Sequence, residues 1–170
     1  MPRPSRRPWP AWRDRHGMTK IYVDADACPV KDEIIRVASR HKLGVLIVSN
    51  GGIRPNPNPL VETIIVPDGP DIADQWIADR AVVGDVVVTG DIPLAAKVIA
   101  NGADAIRHNG DLFTVDNIGN QLATRDLMAD LRAADPLATG AGKQGGRPFS
   151  KADRSRFLDR LEGVLRRLAG

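Results

Sequence analysis

A chain of 170 residues that is 42% hydrophobic is long enough for one well-cored domain and short for two. Aromatic residues make up only 4%, so the core must be Val, Ile, Leu and Ala, and no stretch approaches the about 18 apolar residues of a membrane span. No apolar segment near the N-terminus reads as a signal peptide, and the single cysteine, Cys28, excludes an internal disulfide and suits a reducing cytoplasm. The net charge of +3 is uneven: residues 1–18 carry +4 and residues 143–170 carry +5, which leaves −6 on residues 19–142. An acidic centre with basic ends suits a metal site beside a polyanion track, and equally suits solvated tails around an acidic domain.

Residues 1–17 are rich in Arg and Pro and lack periodicity, which predicts a disordered basic arm. Met18 directly precedes the first strand pattern, so a start there would make the arm an extension of the reading frame; as a true arm, its Trp9 and Trp12 could stack on bases. From Lys20 strands alternate with helices. The pattern predicts a strand over Ile21–Asp24, then a helix over Pro29–His41 with Pro29 in its first turn and Gly44 past its end. A strand over Val45–Ser49 leads into a Pro- and Gly-rich loop, residues 50–59, and a third strand over Val61–Val66 follows. A helix over Asp71–Val82 places Ile72, Trp76 and Ile77 at helical spacing for burial. Next come a strand over Asp85–Thr89, a helix over Pro93–Asn101 and a strand over Ala103–Arg107.

After the Asn109-Gly110 turn a fourth helix is expected over Asn117–Ala134, then a Gly/Pro/Ala linker, residues 135–149. Ser150 caps a last helix, residues 150–170, with Asp153 completing a capping box. Its apolar stripe is Leu158, Leu161, Leu165 and Leu168, while Arg154, Arg156, Arg160, Arg166 and Arg167 mostly face outward. Strand–helix alternation implies parallel βαβ units, so the expectation is a three-layer α/β domain over residues 18–134 with a mainly parallel central sheet, extended by a C-terminal basic amphipathic helix.

The strongest functional signal is Ile-Tyr-Val-Asp-Ala-Asp-Ala-Cys-Pro, residues 21–29. Period-2 geometry puts Asp24 and Asp26 on one side of a strand end, where an open α/β sheet keeps its ligand crevice. Asp71 and Asp74 lie at i and i+3 in the first turn of a helix; by themselves they would only complement the helix dipole, worth ~0.3–1 kcal/mol. Asp91 follows a strand in Val-Thr-Gly-Asp, residues 88–91, and by itself would be a helix N-cap. Three separate element ends, each acidic and each on the side where parallel strands finish, point to one shared acidic site.

Such carboxylates repel one another, and a hard divalent cation, Mg²⁺ or Mn²⁺, relieves the repulsion. The metal set read from the sequence is Asp24, Asp26, Asp71, Asp74 and Asp91. Of these, Asp24 and Asp91 are expected to hold the ion and Asp74 or Asp71 to position a water or a second ion, for in-line hydrolysis of a phosphodiester. Substrate contacts are expected from Ser49, Asn50, Thr89, Lys97 and Arg154, although residues placed like Ser49 and Thr89 are more often plain polar ends of buried strands.

Five segments carry a resemblance: Val-Asp-Ala-Asp-Ala-Cys-Pro-Val-Lys (23–31), Gly-Pro-Asp-Ile-Ala-Asp-Gln-Trp-Ile (69–77), Val-Thr-Gly-Asp-Ile-Pro-Leu-Ala (88–95), Arg-Asp-Leu-Met (125–128) and Phe-Ser-Lys-Ala-Asp-Arg (149–154). In order and spacing over residues 19–170 they resemble the bacterial YaiI/YqxD family, which has no established activity and is grouped with the PIN-like nuclease fold. The resemblance implies a PIN-like α/β domain with a parallel sheet and an acidic metal-binding cluster. Carried over residue by residue, Asp24, Asp74 and Asp91 look like the PIN-type catalytic acids, with Asp26 and Asp71 as additions; the arm, 1–17, lies outside the pattern. RNA is the partner so implied, no membrane is, and the oligomeric state stays open.

Two other readings stand beside the nuclease. A phosphatase of the haloacid dehalogenase type would use Asp24 as nucleophile, Asp26 as acid, Ser49-Asn50 for phosphate, Lys97 as its lysine and Asp91 for metal. Cys28 stands where that family usually has Thr or Val, and the helix follows too soon for its usual insertion. A catalytically inactive RNA-binding module would suit the basic ends but has no need of five site carboxylates. Cys28 as nucleophile is disfavoured by Asp24 and Asp26; His16, His41 and His108 are too scattered for zinc or a triad, and Asn50-Gly51-Gly52 matches no phosphate-loop fingerprint.

Overall fold

A strand such as Val-Leu-Ile-Val, residues 45–48, offers no polar face, so it must be covered on both sides. The computed structural model, which describes residues 18–26, 28–134 and 148–169, meets that demand with one six-stranded sheet between two helical layers. The elements are β1 (Lys20–Asp24), α1 (Lys31–His41), β2 (Gly44–Ser49), β3 (Val61–Ile65), α2 (Ile72–Ala78), β4 (Val86–Val88), α3 (Ile92–Ala100), β5 (Asp104–Ile106), β6 (Leu112–Phe113), α4 (Val115–Ala134) and α5 (Lys151–Ala169). The sheet order is β3-β2-β1-β4-β5-β6, with β1 to β5 parallel and β6 antiparallel to β5. This is the expected three-layer α/β architecture with a mainly parallel sheet.

Strand alternation divides the core. Ile21, Val23, Val45, Ile47, Val86 and Val88 face α1 and α5; Tyr22, Leu46, Val48 and Val87 face α2 and α3. The chain builds outward from β1 in one direction to β2 and β3, and from β4 in the other to β5. Right-handed crossovers then put α1 and α3 on opposite faces, and the order reverses between β1 and β4. Asp24 keeps the period of Tyr22, and Thr89 that of Val87. Both therefore lie on the α2/α3 face at the carboxyl ends of adjacent strands.

Several boundaries differ from the sequence expectation for local reasons. Helix α1 starts at Lys31 because Val30, at φ −116°, is not helical. It ends with Lys42 in the left-handed region at φ 58°, its N–H bonded to the Ala38 and Ser39 carbonyls, so Gly44 is free to open β2. Helix α2 stops at Ala78 rather than Val82. The buried Asp85 carboxylate accepts the N–H of Val82 at 3.1 Å and of Lys20 at 3.2 Å, which draws residues 82–85 into a loop tied to the start of β1. Trp76, expected inside, is only half-buried, tilted against Tyr22 at 6.2 Å and covered by the Arg80 guanidinium at 4.0 Å.

The pattern did not foresee β6, since two residues are too few for a periodic signal. The turn was legible: Gly110, at φ 94°, closes a hairpin in which Arg107 and Asp111 exchange a 2.8 Å bond. Helix α4 begins two residues early because Thr114 and Asn117 cap each other reciprocally, the Asn117 N–H reaching Thr114 Oγ1 at 3.1 Å. The expected arm, 1–17, and most of the expected linker, 135–147, lie outside the described residues. Among the described residues no helix is long and apolar enough to cross a membrane.

The last helix is more than an appendage. The Ser150–Asp153 capping box forms in both directions, at 3.2 and 3.0 Å, and α5 then completes one face of the core. Phe157, Leu161, Val164 and Leu165 are buried against Val37, Val86 and Val88 of the same cluster, with Leu158 and Leu168 partly buried beside them. Phe157 is fully buried, so Phe157→Ala is expected to cost about 3–5 kcal/mol in urea denaturation. A loss under about 1 kcal/mol would show that α5 does not belong to the core.

Candidate active site at the carboxyl edge of the sheet

The sheet ends beside its point of reversal in an open cleft of about 280 Å³. Asp24, Asp26, Asp71, Asp74 and Asp91 all line it, together with Asn50 and the wall Val66, Pro67, Gly69 and Pro70. The five acids come from four segments: the end of β1, the turn after it, the start of α2 and the residue between β4 and α3. Asp26 and Asp71 are exposed; Asp24, Asp74 and Asp91 are half-buried.

Each acid is held by a specific local device. Thr89, wholly buried at the end of β4, donates its hydroxyl to Asp24 Oδ2 at 3.1 Å and accepts the Asp91 N–H at 3.0 Å. One hydroxyl thus ties the carboxylate of β1 to the backbone of the β4–α3 turn. Asp91 is indeed the N-cap of α3: its Oδ1 accepts the Leu94 N–H at 2.9 Å, and Pro93 sits inside the first turn. Capping uses Oδ1, and Asp91 lines the cleft as well, so the structural and functional readings of Asp91 are compatible. Asp71 adopts the left-handed conformation, φ 63°, at the N-terminus of α2 and makes no side-chain cap. Asp tolerates that region better than most residues, and the strain of order 1 kcal/mol is the kind found where a site constrains the chain.

The electrostatics follow from crowding. Burial, with Asp26 and Asp91 adding repulsion, holds the Asp24 carboxyl above its usual range in spite of the Thr89 hydrogen bond. Asp74 goes further: burial and then the Asp91 carboxyl hydrogen-bonded to it push it up to about 7. Crowding against Asp91 thus favours the protonated form of Asp74.

The other sequence candidates separate. Thr89 bonds the Asp24 carboxylate and the Asp91 backbone. Ser49 is buried and folds onto its own turn, exchanging hydrogen bonds with the Gly51 carbonyl at 3.0 Å and the Gly51 N–H at 3.1 Å, outside the cleft lining. Asn50 lines the cleft. Lys97 is exposed in the last turn of α3, and Arg154 of α5 is paired with Glu33 at 3.0 Å; neither joins the acids. Cys28 is buried and its thiol is pushed up to about 11, chiefly by burial, which makes it a packed residue and no nucleophile.

Among the described residues, no three His, Cys, Asp or Glu side chains converge closely enough to hold a metal ion where they stand. The donor chemistry nonetheless fits a hard divalent cation: carboxylate oxygens only, crowded enough that Asp74 is pushed toward its protonated form, which a cation would reverse. Such an ion would take Asp24, Asp74 and Asp91 by drawing their side chains together.

The family model described as "Uncharacterized BCR, YaiI/YqxD family" matches residues 22–167. The chain belongs to this family. A UPF0178 protein of Ruegeria pomeroyi is 68% identical over 149 residues, covering 88% of this chain and 95% of the relative. One from Roseobacter denitrificans is 67% identical over 152 residues, covering 89% and 98%, and one from Parvibaculum lavamentivorans is 59% identical over 148 residues, covering 87% and 94%. The family label fits the whole cleft, since every lining acid falls inside the matched region.

The raised Asp74 carries a sign that can be tested. Its folded form keeps the proton to higher pH than the unfolded form, so stability falls as pH rises from about 4 to about 7 and stays lowered above that. Asp74→Asn removes the penalty: its melting temperature should exceed that of the wild type at pH 8, and the gap should close toward pH 4. A gap independent of pH would contradict the crowding.

Proposed function

We propose that the acidic cleft hydrolyses phosphodiester bonds of single-stranded RNA with the help of Mg²⁺ or Mn²⁺. The observation that carries the reading is the convergence of Asp24, Asp26, Asp71, Asp74 and Asp91 on one cleft, with Asp24 held by Thr89, at the mouth where the sheet order reverses. The resemblance to PIN-like nucleases supports it from the sequence.

The chain's own part is to place charge. Asp24 is held by the Thr89 hydroxyl and Asp91 by its cap to Leu94, so the movement needed to receive a cation is confined to their side chains. Asp74, half-buried beside Asp91 in the same cleft, is placed to orient an attacking water next to the ion. A bound divalent ion would supply neutralisation of the cluster, activation of that water and stabilisation of charge on the phosphoryl group. In the balanced reaction the water oxygen bonds to phosphorus, the P–O ester bond breaks, and the leaving oxygen takes a proton to become a hydroxyl.

A phosphatase with Asp24 as nucleophile draws less support. Its required lysine has no counterpart in the cleft, as Lys97 is exposed two turns along α3 from Asp91.

The test is one preparation assayed with Mn²⁺ on single-stranded RNA and on a small phosphomonoester. Cleavage of RNA is expected, abolished by chelator and lowered about 100-fold or more by Asp24→Asn or Asp91→Asn. Hydrolysis of the phosphomonoester alone, or full RNA cleavage by both variants, would contradict the proposal.

A further inference from the structure

The basic residues suspected of tracking a polyanion, those of α5, are largely committed elsewhere. Arg154 pairs with Glu33 at 3.0 Å, Arg156 with Asp111 at 2.7 Å, Arg166 with Glu162 at 3.3 Å and Arg167 with Asp104 at 2.6 Å. A different set of arginines stands next to the cleft. A hollow of about 410 Å³ opens between the first turn of α3, the end of β5 and one face of α4. It adjoins the acids, because Asp91 lines the cleft and the next residue, Ile92, lines the hollow.

Gln121, Arg125, Met128 and Arg132 lie four, three and four residues apart and so share one helix face toward the hollow. Arg107 forms its floor. The Arg107 guanidinium lies 5.1 Å over the Phe113 ring and donates from Nη2 to Gln121 Oε1 at 3.2 Å, while its buried Nε has no acceptor among the described residues. Among the described residues no carboxylate lines the hollow. Among them, too, Arg125 has an exposed 3.5 Å contact with its chain neighbour Asp126, which a stronger anion can displace. Arg125 and Arg132 are about 10 Å apart along the axis, a span that covers more than one phosphate of a strand. Ile92 and Met128 supply apolar wall between the cations.

We propose that this groove holds the stretch of single-stranded nucleic acid flanking the scissile phosphate, with Arg125 and Arg132 on backbone phosphates, Arg107 as the donor at the floor, and base or sugar against Ile92 and Met128. The inference rests on the reading of the adjoining acidic cleft as a phosphodiesterase. Charge complementarity selects the occupant: three guanidiniums without a lining carboxylate attract a polyanion, and continuity with the cleft directs the strand to the acids.

The experiment measures anisotropy of a labelled single-stranded RNA with the full-length protein in chelator, where no cleavage occurs, across a salt series. Wild type should bind with strong salt dependence. Arg125→Ala with Arg132→Ala should weaken binding at least tenfold and flatten the log–log salt slope by about 1.4, the value for two phosphate contacts on a single strand. Arg125→Lys with Arg132→Lys should restore most of the slope. Arg36→Ala with Arg160→Ala, which removes the same charge from exposed positions on α1 and α5, should leave affinity within about twofold. Equal losses in the groove and control variants, an unchanged slope, no binding by wild type, or displacement of RNA by polyglutamate as readily as by unlabelled RNA would each overturn the inference. Groove-dependent binding without any cleavage in Mn²⁺ would leave it standing and remove the phosphodiesterase reading; cleavage with groove-independent binding would do the reverse.

Discussion

A parallel sheet whose strands are apolar on both faces must be roofed twice, and right-handed crossovers decide which helix covers which face. Because β2 and β3 extend from one side of β1 while β5 extends from β4 on the other, the first and third helices are sent to opposite faces. The carboxyl ends of β1 and β4 are then left without a helix across them. Everything at the site follows from that opening: Asp24 ends β1, Asp91 follows β4, and α2 brings Asp71 and Asp74 over the same face.

An opening lined by five carboxylates is electrostatically costly, and the fold contains the cost with a few hydrogen bonds rather than with cations. Thr89 is the centre of that arrangement, since its buried hydroxyl serves Asp24 and the Asp91 backbone at once. Asp91 uses one oxygen to cap α3, and the remaining repulsion, with burial, holds Asp74 toward its protonated form. Four arginines of α5, which packs on the other face with α1, are paired with Glu33, Asp111, Glu162 and Asp104. The cleft is thereby kept acidic, while the groove beside it on α4 is kept basic.

Much of this was legible in the sequence because it is written in short periods. The two-residue alternation of Ile21–Asp24 and the Val-Thr-Gly-Asp run mark strands ending in acids, and the convergence of Asp24, Asp26, Asp71, Asp74 and Asp91 needed only parallel connectivity. What escaped was set by tertiary contacts. Thr89 read as a candidate for water or phosphate, because nothing in a single strand reveals that Asp24 sits opposite it. Arg154 read as a substrate contact, because its pairing with Glu33 joins residues 121 positions apart along the chain. The groove arginines Arg107, Arg125 and Arg132 come from a strand end and a helix that pack only in three dimensions, although the four-three-four spacing of Gln121, Arg125, Met128 and Arg132 was there to be counted.

The central proposal is that a divalent cation would draw Asp24, Asp74 and Asp91 together into one site. The most direct measurement is an anomalous difference map from crystals of the wild-type protein grown with millimolar Mn²⁺. A peak within ligating distance of all three carboxylates, absent from crystals of Asp24→Asn, is the expected result. A clean map showing no peak at the cleft at saturating Mn²⁺, with Asp74 and Asp91 still in mutual contact, would contradict it.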